Sequence, residues 1–135
     1  MNISEEISGW FIANGFHAKA PLATNDKGLH PLIIAAQQAR PDILAYLLDN
    51  GADLNVRDDY GNNALWAACF AGSGACIGLM IAAGINVDYQ NPSGATALIY
   101  ASSSGKHAEV AQHFRLPLIN LRPIFITSMA LFSRR

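Results

Sequence analysis

One short segment occurs three times in this chain, at a constant spacing of 33 residues. Three of its positions carry the same residue in every copy: Gly28, Gly61 and Gly94; Leu32, Leu65 and Leu98; Ala35, Ala68 and Ala101. A constant period over three copies indicates a stacked-repeat architecture, in which each unit buries its apolar face against its neighbours. The period therefore constrains the fold, and function has to follow from what the stack exposes.

Within each period the apolar residues predict two short helices. In the first copy Pro31 suits the first turn of a helix, and the apolar run that follows predicts a helix through Gln38. Pro41 begins a second helix, whose apolar residues recur at helical spacing until Asn50 and Gly51 end it. The chain is therefore predicted to be all-α.

The repeat spacing divides the chain into five predicted segments. Residues 4–14 predict a short helix with Ile7, Trp10 and Phe11 on one face, inside an N-terminal capping half-repeat. The segments are residues 1–24 for the half-repeat and its loop, 25–57 for repeat one, 58–90 for repeat two, 91–112 for a partial repeat three, and 113–135 for a divergent tail.

The tail differs from the rest of the chain in charge. Residues 1–112 contain all 10 acids and five bases, a net charge of −5, whereas residues 113–135 contain four arginines and no acid, a net charge of +4. The tail has three interpretations: an irregular cap over repeat three, a sequence from an altered reading frame, or a basic apolar segment for a partner or membrane surface. Self-association through this segment is a further expectation. Pro117, Pro123 and Arg122 argue against a membrane-spanning helix.

Two features predict a cytoplasmic location. Cys69 and Cys76 are the only cysteines and are expected to be buried thiols in a reducing compartment. The first residues also lack the basic and apolar regions of a secretory signal. The overall net charge of −1 gives no electrostatic surface for nucleic acid.

The repeated residues resemble the ankyrin repeat family. Repeat one has Pro31-Leu32, Ala35-Ala36, Leu47-Leu48 and Gly51-Ala-Asp-Leu-Asn55, and the likeness extends over residues 25–112. The resemblance implies a solenoid of stacked helix-turn-helix units joined by extended or β-hairpin turns. The sequence from Asn63 to Phe70 is similar to that of small bacterial members of the family.

Repeat-family residues that usually pair are replaced in this chain. The Thr of the family's Thr-Pro-Leu-His motif corresponds to His30, Asn63 and Thr96, and its His corresponds to Ile33, Trp66 and Ile99. The Thr–His hydrogen bond is therefore absent, and packing is expected to contribute more to each repeat. Trp66 is expected to be a core residue rather than a stacking platform for a ligand.

No pattern of residues predicts catalysis. The four histidines are scattered, and none has a Ser, Cys or carboxylate partner at a recognisable spacing. We therefore expect no enzyme activity, no catalytic residue, no cofactor and no metal site.

By the ankyrin resemblance, the turns and the exposed side of the first helices should bind another protein on a concave face. Tyr60 and Phe70 are the strongest candidates for hot spots, because aromatic anchors dominate interface energies. Asp58 and Asp59 favour a basic partner surface. The predicted partner-binding residues are Asp26, Lys27, Leu29, Gln37, Gln38, Asp59, Tyr60, Asn62, Phe70, Ala71, Gln90, Pro92, Ser93, Ala95, Ser103 and Ser104.

The sequence thus predicts a non-catalytic protein–protein interaction module. Two alternatives stay open at this stage. One is a dedicated accessory or immunity-type protein for a single bacterial enzyme, and the other is a truncated or frame-disrupted repeat protein with no partner of its own.

Overall fold

The structure, a computed structural model, describes residues 5–103, with side chains from Glu5 to Tyr100. Ser104, the predicted second helix of repeat three and all three interpretations of residues 113–135 lie outside the described residues, as does self-association through that segment. Six helices occur within the described range: α1 (Glu5–Ala13), α2 (Pro31–Gln37), α3 (Pro41–Asp49), α4 (Ala64–Ala71), α5 (Gly74–Ala82) and α6 (Ala97–Ser103).

The helices form antiparallel pairs that stack in chain order. Helix α2 packs on α3 within repeat one, and α4 packs on α5 within repeat two. Between repeats, α2 contacts α4, α4 contacts α6, and α3 contacts α5. First helices therefore stack on first helices and second on second, which confirms the predicted all-α ankyrin-type solenoid.

Small side chains allow the first helices to approach closely. Ala35, Ala36, Ala64 and Ala68 are completely buried at the contact between α2 and α4. The second helices provide larger apolar residues to the same core, and Ile43, Leu44, Leu47, Ile77 and Met80 are all almost fully buried. Because burial of each such side chain contributes about 1.5–3 kcal/mol, the core between successive units accounts for much of the stability.

An aromatic cluster attaches α1 to repeat one. Trp10 and Phe16 stack with ring centroids 5.6 Å apart, and Phe11 meets both rings and Tyr46 edge-on. The Trp10 indole Nε1 donates a hydrogen bond of 2.7 Å to Gln38 Oε1. The predicted helix is thus confirmed over Glu5–Ala13, and Trp10 and Phe11 form its buried face.

Tight turns, and not strands, precede the first helices. In each repeat an Asn or Asp side chain accepts two backbone hydrogen bonds, from the second and fourth residues after it. A backbone bond to the carbonyl four residues ahead closes each turn. Side-chain and backbone bonds inside each turn satisfy groups that strand pairing would otherwise use, so no strand forms within residues 5–103 and the expected β-hairpins are present only as turns.

Helix capping replaces the missing Thr–His bond in two of the repeats. The Asn63 side chain accepts from the Trp66 backbone N–H at 3.2 Å, and the Thr96 hydroxyl accepts from the Ile99 N–H at 3.1 Å. The His30 side chain makes no such bond, and Pro31 follows it at the first helical position. Helix α2 also ends one residue earlier than predicted, with Gln38 as its C-cap.

Candidate functional site

The main candidate site is a groove beside α4, which we call the aromatic groove. It encloses about 260 Å³ and is open to solvent. Residues from the turn before α4, from α2, from α4 and from α6 meet there, so three successive units contribute to it. The groove is lined by Gln37, Asp58, Tyr60, Asn62, Trp66, Ala67, Phe70 and Tyr100.

Two large side chains of the groove project into solvent. Tyr60 is 82% exposed and Phe70 is 66% exposed, whereas the other seven aromatic side chains in the described part of the chain are buried or partly buried. Exposed aromatic residues add little to folding, and their clustering marks binding surfaces. The predicted hot-spot residues therefore lie at one groove.

Trp66 and Tyr100 form the floor of the same groove. Their ring centroids lie 5.0 Å apart, and Phe70 stacks on Tyr100 at 6.3 Å. Trp66 is buried, as expected for a core residue, yet it also lines the groove. Burial raises the pKa of the Tyr100 phenol, with a smaller contribution from Cys69.

The Trp66 indole nitrogen is buried without a hydrogen-bond partner. A buried N–H of this kind costs about 1–3 kcal/mol relative to a bonded one, and native structures contain few of them. The Trp10 indole, in contrast, donates a hydrogen bond to Gln38 Oε1. An unsatisfied donor beside a groove is a feature that folding alone does not favour.

Comparison of equivalent positions shows that the exposed aromatic pair of the groove occurs in repeat two alone. Tyr60 corresponds to Lys27 and Ser93, and Phe70 corresponds to Gln37 and Ser103. Trp66 corresponds to Ile33 and Ile99, which are purely aliphatic. The repeat fold therefore accepts polar residues at the two exposed positions, and the aromatic side chains of repeat two are not required by the architecture.

A second cavity, of about 510 Å³, lies between the N-terminal unit and repeat one. It contains five of the predicted binding residues, and Gln37 lines both this cavity and the aromatic groove, so the two form one continuous surface. Gln38 bonds both Trp10 and Asn14 and thus has a structural role. The five residues are Asp26, Lys27, Leu29, Gln37 and Gln38.

Some predicted residues lie away from both cavities. Ala95 is 1% exposed, because the third turn folds it against the core, so it offers almost no surface to a partner in this structure. Asp59, Gln90, Pro92 and Ser93 are exposed near the turns, and Ala71 is partly buried, but none lines a described groove. Ser103 ends α6 with its side chain outside the described set.

The prediction missed Tyr100 and placed Trp66 only in the core. Tyr100 corresponds to Ala67 and Ile34, which gave no sign of an aromatic partner across repeats. A different comparison would have found this contact. Trp66 and Tyr100 are each aromatic where the other two repeats have aliphatic residues, and they lie on α4 and α6, which pack together.

The described residues contain no metal-binding cluster. Within residues 5–103 no group of three or more His, Cys, Asp or Glu side chains is placed to hold a metal ion. Cys69 and Cys76 are buried thiols that do not form a disulfide, and burial raises the pKa of Cys76. None of the six helices is long and apolar enough to cross a membrane.

A family model for ankyrin repeats in three copies matches residues 32–115. The chain belongs to the ankyrin repeat family. Ankyrin repeats are protein-interaction modules, and their fold is generally non-catalytic. The helical stack, the alanine-lined contacts between first helices and the turns before them agree with this assignment.

Relatives with the same repeats occur in several kinds of protein. The chain is 40% identical over 78 residues to the probable E3 ubiquitin-protein ligase XBOS33 of Oryza sativa subsp. japonica, covering 56% of this chain and 15% of that protein. It is 36% identical over 75 residues to ankyrin repeat domain-containing protein 37 of Bos taurus, covering 56% and 48%. The E3 ubiquitin-protein ligase XBAT33 of Arabidopsis thaliana is 35% identical over 96 residues, covering 69% and 18%. The chain thus spans less than half the length of each of these relatives.

Proposed function

We propose that this chain is a non-catalytic interaction module that binds a protein partner through the aromatic groove of its repeat stack. The observation that carries this proposal is the pair Tyr60 and Phe70, which are exposed together at one groove while the sister repeats have polar residues there. Aromatic anchors that are exposed before binding and buried by it supply most of the energy of many interfaces.

The surface from the second cavity, between the N-terminal unit and repeat one, to the aromatic groove supports an extended contact. Gln37 lines both, and Asp26 and Lys27 supply a polar margin on the side of repeat one. An aromatic centre with a polar rim is the usual arrangement of a specific interface. We also propose a cytoplasmic location, since two buried thiols without a disulfide suit a reducing compartment.

The test is quantitative capture of partners by the full chain and by the double variant Tyr60→Ser, Phe70→Gln. Ser and Gln occupy these positions in repeats three and one, so the fold should tolerate them. Equal melting temperatures of the wild type and the double variant would verify that the fold is intact. The control is Ile12→Ser, because Ile12 is 73% exposed but lies outside the groove. A partner that the double variant loses and the control retains supports the proposal. Equal capture by all three proteins contradicts it.

A further inference from the structure

The turn beside the aromatic groove carries negative charge that the fold does not need. Asp58 lines the groove, and its Oδ1 accepts from the N–H groups of Tyr60 and Asn62, both at 2.9 Å. Asn25 and Asn91 make the same pair of bonds in the other two turns with a neutral amide oxygen. An Asn therefore meets the geometric requirement, and the charge of Asp58 is an addition specific to repeat two.

No cation of the described chain neutralises this charge. Asp59 follows Asp58 directly and is exposed, and the ion pairs of the described residues involve Arg40 with Glu6 and Asp42 only. Arg57 is adjacent in sequence, but its guanidinium lies over the Tyr89 ring, 4.5 Å from the centroid. The carboxylates thus stand beside exposed aromatic rings without a positive partner.

Building on the proposed function, we infer that the partner segment inserts an arginine side chain into the aromatic groove. The planar guanidinium stacks on aromatic faces, is more weakly hydrated than an ammonium group, and donates several hydrogen bonds to carboxylates. Tyr60 and Phe70 supply the faces, and Asp58 supplies an oxygen not used by the turn.

Arginine fits this combination of groups better than the other candidate side chains. A purely apolar anchor would use the rings and leave Asp58 desolvated without a partner, which opposes binding. An acidic or phosphorylated segment would meet Asp58 and Asp59 with like charge. A neutral polar side chain would gain neither the charge nor the stacking.

The test selects peptides from an unbiased random display library against the full chain, without assuming any partner. The tightest peptide is then titrated by calorimetry against the wild type and Asp58→Asn. Asp53→Asn is the matched control, because Asp53 lies in a turn outside the groove, where its side chain accepts from the Asn55 N–H. At the equivalent position of the next repeat, Asn86 accepts from the Asp88 N–H in the same way, so an Asn fits there. We expect enrichment in arginine, a loss of about tenfold in affinity for D58N, and no change for D53N. Replacing the peptide arginine by glutamine should cost a similar factor.

The outcomes separate this inference from the proposed function. Peptides that need Tyr60 and Phe70 but neither arginine nor Asp58 would overturn the arginine inference and leave the interaction module standing. Unchanged peptide affinity for the Y60S/F70Q variant, or a selection that enriches no peptide, would contradict both the arginine inference and the proposed function. A dimer that the same double variant abolishes would assign the groove to a second copy of the chain and overturn the inference.

Discussion

Ala39 has a backbone conformation that the repeat usually gives to glycine. Its φ is 54°, and it is the only non-glycine residue with positive φ in the described range. Gly72 occupies the equivalent position with φ of 69°, and the residues after both positions bond back to the end of the preceding helix in the same way. A side chain in this left-handed region costs about 1–2 kcal/mol.

Ala39→Gly should therefore stabilise the protein. The relief of strain is partly offset by the larger entropy of glycine in the unfolded chain, which leaves a net gain of about 0.5–1 kcal/mol. Urea denaturation measures the change, and Gly72→Ala, the reverse exchange in repeat two, should destabilise. An A39G protein less stable than the wild type would show that the strain is absent.

The two tryptophans should respond differently to the same substitution. Trp10→Phe removes the hydrogen bond to Gln38 Oε1, whereas Trp66→Phe removes a buried N–H that has no partner. Both changes lose similar apolar volume, so W10F should cost about 1–2 kcal/mol more than W66F. Thermal unfolding of the two variants makes the comparison, and equal losses would contradict it.

The first helices of the three repeats, and the second helices of repeats one and two, were predictable from sequence because repetition confirms each local signal. Pro31, Pro41 and the apolar spacing of α3 define two helix starts and a buried face. The positions of the turns were predicted, but the hydrogen bonds inside them were not. An Asn or Asp at the first position of a turn can also cap a helix or face solvent, so its residue type alone does not predict those bonds. The groove was only half predicted: Tyr60 and Phe70 follow from the family pattern, whereas the Trp66–Tyr100 contact depends on how closely α4 and α6 approach.

The turns also couple adjacent repeats. A Cβ atom at Gly61 would come 2.5 Å from Cδ of Pro92, in the next turn, whereas one at Gly28 would meet nothing within 4 Å. Tyr89 Oη also donates to the Gly61 carbonyl, and Asn91 Nδ2 donates to Asn62 Oδ1. Gly61 is thus the point where the turn of repeat three rests on that of repeat two.

Gly61→Ala should be more destabilising than Gly28→Ala. Both glycines have φ near +80°, so the conformational penalty is shared, and only G61A adds the clash with Pro92. We expect a difference of about 1–3 kcal/mol in the free energy of unfolding, measured in urea. Equal losses would mean that the third turn moves aside without cost.

At the scale of the whole molecule, a regular stack carries an irregular surface. The alanines, leucines and turn bonds recur in each unit and explain why the chain folds as it does. The exposed aromatics and the charge of Asp58 occur in the middle unit only, flanked on both sides by first helices. The exposed aromatic and acidic side chains thus lie on the unit that has a neighbour on each side, and such rigid support suits the proposed binding surface.

An NMR titration of the isotopically labelled full chain with the tightest binding peptide or partner tests most directly whether the aromatic groove is the binding site. If the aromatic groove is the binding site, the largest backbone amide shifts should lie in residues 58–62 and in α4, together with the Trp66 indole signal. Shifts centred instead on the cavity around Leu22, Leu47 and Val56, away from the groove, would contradict it.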